Sequence, residues 1–171
     1  MSRQYISSKV ERLIRRWKTR DPFELLDALH VVVKESDAYQ SLKGFCFTAN
    51  RTFYVVINST LPPEVKRIVA AHELGHIVMH RKELKMAPMR DVEIYQMNDR
   101  TEYEANVFAA ELLVSDQDVD ALVQEDELDY FGICRTLNVS PDLMSFKLFG
   151  LIQRGHDYNM PMGMDSRFLG K

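Results

Sequence analysis

The sequence predicts an α+β fold: a short three-stranded sheet packed on one long helix that carries an HExxH run, followed by a helical C-terminal part. Three observations carry that expectation. Apolar, β-branched segments of strand length cluster between His30 and Asn58, helical periodicity takes over after Pro62, and His72-Glu73-Leu74-Gly75-His76 falls within that periodicity. At 171 residues, 46% hydrophobic and 27% charged, the chain has enough apolar material for one domain with a real core.

Residues from about Ser8 to Arg20 read as an amphipathic helix. Val10, Leu13, Ile14 and Trp17 form its apolar side, and Arg12, Arg15, Arg16, Lys18 and Arg20 a solvated face. Asp21-Pro22 restarts the chain as N-cap and first helical residue of a helix through about Leu29. His30-Val31-Val32-Val33 is a β-branched run predicted to be a strand, and Leu42–Thr48 and Thr52–Asn58 form a hairpin around Ala49-Asn50-Arg51. Leu61-Pro62-Pro63-Glu64 opens the next helix, along which Val65, Ile68, Val69, His72, His76 and Ile77 recur at helical spacing. Lys82 to Arg100 shows no clean period, contains Pro88, and reads as a loop or lid-like excursion. Met86, Met89 and Met97 within it suit either a loosely packed loop or an adaptable substrate surface. A helix from about Arg100 to Val114 follows, then one capped by Ser115, then Tyr130–Leu137 and Pro141–Arg154. The expected organisation is one domain over 1–154, made of an N-terminal helix (1–20), a catalytic core (21–115) and C-terminal helices (116–154). A poorly ordered tail (155–171) completes the chain.

Bulk properties exclude several classes. The net charge of −3 and a pI near 6.0 leave no broad basic surface for a nucleic-acid backbone. Leu137-Asn138-Val139-Ser140-Pro141-Asp142-Leu143 has the look of a helix-turn-helix, but its second helix offers only Lys147 and Arg154 beside Asp142. Packing, or docking of a protein substrate, is the better reading, with no direct nucleic-acid binding. No apolar run is long enough to span a bilayer, and the first twenty residues are too charged for a secretory signal. Cys46 and Cys134 sit in apolar surroundings without metal-ligand spacing, as buried free thiols in a reducing cytoplasm would.

The chemistry concentrates at HExxH. Histidines four apart on a helix stand one turn apart, about 6 Å along the axis, so His72 and His76 can reach one metal ion. Glu73 points close to the same place and can hold or deprotonate a water there. A catalytic zinc takes three protein ligands, and the helix Thr101–Leu113 offers Glu102 and Glu104 for the third. Two apart on a helix, these point roughly 200° away from each other, so only one can ligate. Glu102 shares a face with Asn106 and Ala109, small enough for close helix packing, and Asn106 could orient a ligating histidine. Facing therefore favours Glu102, with Glu104 as the alternative. His80 lies a further turn along, some 12 Å from His72, too far to complete the same site, and reads as cleft-lining or structural. His30 and His156 have no expected part in metal binding.

Leu42-Lys43-Gly44-Phe45, the hairpin, Val56-Ile57-Asn58, HELGH and then E-x-E-A-N-x-F-A-A-E-L-L occur in the order that resembles the ImmA/IrrE family of zinc metallopeptidases. The resemblance covers roughly residues 20 to 150. It implies a small zincin fold with a gluzincin-like site holding one zinc ion on His72, His76 and Glu102, with Glu73 as catalytic acid/base. Many members close the second motif with Leu-Met-Pro where this chain has Leu113-Val114-Ser115, which alters the helix stop and leaves the ligands untouched. Chain size and C-terminal helices look most like the stand-alone ImmA-like branch of mobile genetic elements. That resemblance implies a cytoplasmic endopeptidase cleaving a helix-turn-helix repressor by zinc-activated water. Tyr95, Tyr103 and His80 are candidates for a second oxyanion donor. The alternative is a metal-dependent sensor module that binds a protein partner without hydrolysing it.

Overall fold

In a computed structural model of the chain, residues 1–38, 42–84, 89–91, 100–124 and 128–160 are described, with backbone only at 89–91. They divide into two compact units, Met1–Leu113 and Val114–Lys171.

The first unit opens with α1 (Arg3–Trp17), which begins earlier than the sequence suggests. Ser2 caps it by accepting from the Tyr5 N–H, and buried Ile6, one turn before buried Val10, extends the apolar stripe. Arg12, Arg15, Arg16 and Lys18 are exposed, but Arg20 leaves that face. Its guanidinium instead donates to the carbonyls of Glu111 (3.1 Å) and Leu112 (3.0 Å). α2 (Pro22–Ala28) is capped by the Asp21 carboxylate, which accepts from the Phe23 and Glu24 N–H groups, and it buries Leu25 and Leu26. His30 does not open a strand: it takes a left-handed turn (φ 56°), and β1 runs from Val32 to Ser36.

β2 (Gly44–Ala49) and β3 (Thr52–Asn58) form the expected hairpin. Asn50 and Arg51 both hold positive φ (49° and 64°), the two-residue turn whose twist matches that of the flanking strands. Gly44 and Cys46 on β2, and Val55 and Ile57 on β3, are buried at the period-two spacing of one sheet face. α3 (Pro63–Met79) carries the HExxH run and buries everything from Ile68 to Ile77. The excursion expected at Lys82–Arg100 contains α4 (Arg81–Leu84) and β4 (Met89–Asp91). Residues 85–88 and 92–99, with Met86 and Met97, lie outside the described residues, as does the Met89 side chain. β4 pairs antiparallel with Gly44–Cys46, extending the three strands to four in the order β1-β3-β2-β4, with β1 parallel to β3. α5 (Arg100–Leu113) completes the unit. The architecture is mixed α+β.

The second unit holds α6 (Asp116–Gln124), which starts where expected, and α7 (Tyr130–Thr136) and α8 (Pro141–Gln153), each within a residue of expectation at both ends. Side chains of Ser115, Asp129 and Ser140 cap them by accepting from the N–H groups of Asp118, Gly132 and Leu143. On α8, Lys147 is buried and its ammonium pairs with Asp116, whose carboxylate also takes Arg154 at 3.1 Å. Cys46 and Cys134 are both buried free thiols, and burial pushes the Cys134 thiol up to about 11. No helix among the described residues is long and apolar enough to cross a membrane. The tail is described only to Met160, and its expected disorder beyond that point falls outside the described residues.

Candidate metal centre

Helical spacing on α3 sets His72 and His76 side by side, with their Nε2 atoms 3.0 Å apart and their rings edge to face. A third donor must come from another element, and α5 supplies it because it lies unusually close. A β-carbon on Gly75 would meet the Ala105 Cα at 3.2 Å and the Phe108 Cβ at 3.2 Å. At that separation Glu102, in the first turn of α5, reaches both histidines. Its Oε2 stands 3.2 Å from His72 Nε2 and its Oε1 3.3 Å from His76 Nε2.

Three donor atoms from His72, His76 and Glu102 thus lie within 4.8 Å of one another, the histidines buried and the carboxylate partly exposed. Ligand atoms about 2 Å from a tetrahedral metal stand about 3.3 Å from each other. Nearest separations of 3.0, 3.2 and 3.3 Å match that spacing, and two imidazoles with one carboxylate form a donor set suited to a divalent ion. The residues fit the metal that the sequence implies.

Glu104, the alternative third ligand, is not among them. Its Oε2 lies 3.0 Å from His80 Nε2, and its Oε1 accepts from Arg100 Nε at 2.8 Å and from the Met1 amino group. Asn106 Oδ1 stands 2.9 Å from His72 Nδ1. A carbonyl oxygen only accepts, so this contact puts the hydrogen on Nδ1 and turns the Nε2 lone pair towards Glu102.

Glu73 is fully buried on the same helix, beside the start of β2. A β-carbon on Gly44 would stand 3.2 Å from Glu73 Oε1 and 2.5 Å from Val69 Cγ1, so only glycine lets the strand lie this close. Asn58 holds that stretch in place: its Nδ2 donates to the Leu42 carbonyl (3.1 Å), and its backbone N–H to that of Lys43 (2.9 Å). Its Oδ1 accepts from Thr60 on the way into α3. The sequence marked Asn58 and Gly44 only by resemblance, and their work is a tertiary contact that periodicity does not encode.

Of the oxyanion candidates, Tyr95 lies outside the described residues. The Tyr103 hydroxyl accepts from Arg3 Nε at 2.9 Å, and His80 is buried behind His76. His30 is exposed, and His156 pairs with Asp120 at 3.2 Å in the second unit.

Comparison with known proteins gives a concordant picture. The family model described as the IrrE N-terminal-like domain matches residues 27–149. The chain is 35% identical over 111 residues to a protein of Bacillus phage phi105 named Uncharacterized immunity region protein 2, covering 65% of this chain and 69% of that one. It is 25% identical over 112 residues to Metallopeptidase ImmA of Bacillus subtilis (strain 168), covering 66% of this chain and 64% of the relative.

Proposed function

The chain belongs to the family of the IrrE N-terminal-like domain, and from that membership we propose that it is a cytoplasmic zinc-dependent endopeptidase with a gluzincin-like site. The observation that carries the reading is the convergence of His72, His76 and Glu102 beside Glu73. In this reading the three hold one zinc ion. Bound there, the ion would supply Lewis acidity to the site.

The chain's own groups do the rest. Asn106 holds His72 with its Nε2 lone pair inward. Glu73 accepts a proton from the attacking water on a carboxylate oxygen and delivers it to the leaving amide nitrogen, so the peptide departs as a neutral amine. Gly44 and Asn58 keep the β2 backbone against that carboxylate. An extended substrate would add its backbone along β4, because β4 covers the neighbouring edge of β2 at Gly44–Cys46.

We assign the substrate as a helix-turn-helix repressor of a phage or mobile element. The names of the relatives support this, one placed in an immunity region and the other called ImmA. That the chain itself leaves DNA alone is supported by Lys147 and Arg154, which both engage Asp116.

The test is cleavage of a repressor encoded beside the gene, by parent and Glu73→Gln protein, each assayed for zinc. The variant should keep one equivalent of zinc and lose cleavage by about 100-fold or more. Cleavage retained by that variant would falsify the mechanism. A zinc-loaded parent that binds the repressor and leaves it intact points to the sensor reading instead.

A further inference from the structure

Behind the metal-facing edge of His76 runs a second line of contacts. His76 Nδ1 lies 3.2 Å from His80 Nδ1, and His80 Nε2 lies 3.0 Å from Glu104 Oε2. The other Glu104 oxygen takes Arg100 Nε at 2.8 Å. His80 and Glu104 are 1% and 3% exposed, so water does not compete for the His76–His80 and His80–Glu104 contacts.

The direction of the line follows from its far end. An ionised carboxylate only accepts, so the Glu104 contact places a hydrogen on His80 Nε2. In that tautomer His80 presents Nδ1 as an acceptor, and the group facing it donates. That donor is the Nδ1–H of His76, which leaves the His76 Nε2 lone pair facing Glu102 and His72.

We propose that His80 and Glu104 are positioning residues that fix the tautomer and ring orientation of His76 and thereby strengthen its grip on the metal. The proposal rests on the zinc reading above. It gives two glutamates two residues apart on α5 separate parts: Glu102 joins the donor set, and Glu104 anchors the residue behind it. The two histidines are supported unequally, His72 by a neutral amide and His76 by an imidazole backed by a buried carboxylate. Such partners typically contribute 10- to 100-fold in metal affinity.

The test measures zinc affinity by competition with a chromogenic chelator, melting of the metal-free protein, and the His76 Nδ1–H signal in 15N NMR of the zinc-loaded protein. His80→Leu should weaken zinc binding by about 10- to 100-fold and expose that proton to rapid exchange. His80→Gln offers an amide oxygen to His76 and an amide N–H to Glu104, so it should stay within about threefold of the parent. Glu104→Ala, which leaves His80 in place, should weaken binding about tenfold. Unchanged affinity in His80→Leu or Glu104→Ala overturns the proposal. So does a Gln variant as weak as Leu, a loss that tracks metal-free melting alone, or a second zinc held by His80 and Glu104. His72→Ala and Glu102→Ala separate the two levels. If they lose zinc while His80→Leu does not, only the positioning role falls; if they keep zinc, the metal site falls and the proposal with it.

Discussion

A β-carbon added to Gly75 would stand 3.2 Å from the Cα of Ala105, so α3 and α5 approach here almost backbone to backbone. The nearest atoms are the Cα and carbonyl of Ala105 and the Cβ of Phe108, none of which can swing aside as a side-chain tip would. Gly75→Ala gains helix propensity worth about 1 kcal/mol, yet it can be accommodated only by moving the helices apart. Net destabilisation of about 1–2 kcal/mol is expected, because overpacking outweighs propensity at a contact of this kind. Moving α5 also carries Glu102 away from the two histidines, so zinc affinity should fall by at least about tenfold. Urea unfolding with and without metal, beside a chelator competition, measures both. A variant as stable and as tight as the parent would show that the helices are not held at this distance.

Gly44→Ala puts pressure on a different point. The new β-carbon would meet Val69 Cγ1 at 2.5 Å and Glu73 Oε1 at 3.2 Å. Val69 is β-branched and buried, with little rotamer freedom to yield, so the strand start and the Glu73 carboxylate must shift. The expected result is a loss of kcat of tenfold or more, following the sensitivity of proton transfer to small misplacements, with zinc content unchanged. Asn58→Ala should act in the same direction, since it removes the side-chain bond to the Leu42 carbonyl and leaves only the backbone bond to Lys43 to hold that stretch. Loss of zinc and turnover in parallel would place the damage at the ligands instead.

How much of this was legible from the sequence depended on how far apart the interacting residues lie. The His72–His76 pairing is an i, i+4 relation and needs nothing beyond helical geometry. The choice of Glu102 over Glu104 came from facing within one helix, and the structure puts Glu102 with the histidines. Asp21 as a cap and a turn within Ala49-Asn50-Arg51, which the structure narrows to Asn50-Arg51, are equally local. The Glu104–His80 contact was not legible, because it depends on how α5 crosses α3 rather than on either helix alone. β4 was missed for a related reason: three residues give no alternation to detect, and they are ordered as strand by pairing with β2, more than forty positions away. His30 misled because a β-branched run followed it, while its own backbone turns left-handed and delays the strand.

Asn106 offers a test of how His72, the other proposed histidine ligand, is supported. Its Oδ1 faces His72 Nδ1, while its Nδ2 has no acceptor among the described residues, an orphan donor in a buried position. Asn106→Ala should weaken zinc by about tenfold through loss of the orienting acceptor. Asn106→Asp removes the orphan N–H and backs His72 with a charge, so zinc binding should tighten. The metal-free variant should be less stable, because a carboxylate is then buried next to Glu102 without a cation between them. Chelator competition and melting curves, run with and without zinc, should therefore move in opposite directions. Weaker zinc binding in both variants would show that shape rather than acceptor strength governs this position.

The pH dependence of the second unit should centre on Asp116 and Lys147. Lys147 is 1% exposed and needs a counter-charge, which the half-exposed Asp116 supplies together with a contact to Arg154. Burial alone would raise the Asp116 pKa, but the Lys147 hydrogen bond and charge, with Arg154 and His156, outweigh it and hold the carboxyl below its ordinary 3.8. A carboxylate depressed on folding stabilises the folded state above its unfolded pKa, and that contribution is lost as pH falls through the folded value. The stabilisation should therefore be complete at neutral pH and fade below about pH 4. Asp116→Asn should cost about 2 kcal/mol at pH 7, less than the roughly 3–5 kcal/mol of a fully buried pair because Asp116 reaches solvent. The gap to the parent should narrow as the pH falls through the acid range. Adding Lys147→Met should recover most of the loss, since it removes the ammonium left without its partner. Urea unfolding of the three proteins across pH 3 to 7 reads all of this. A gap that is independent of pH, or a double variant no better than the single, would mean that packing rather than charge holds α8 to α6.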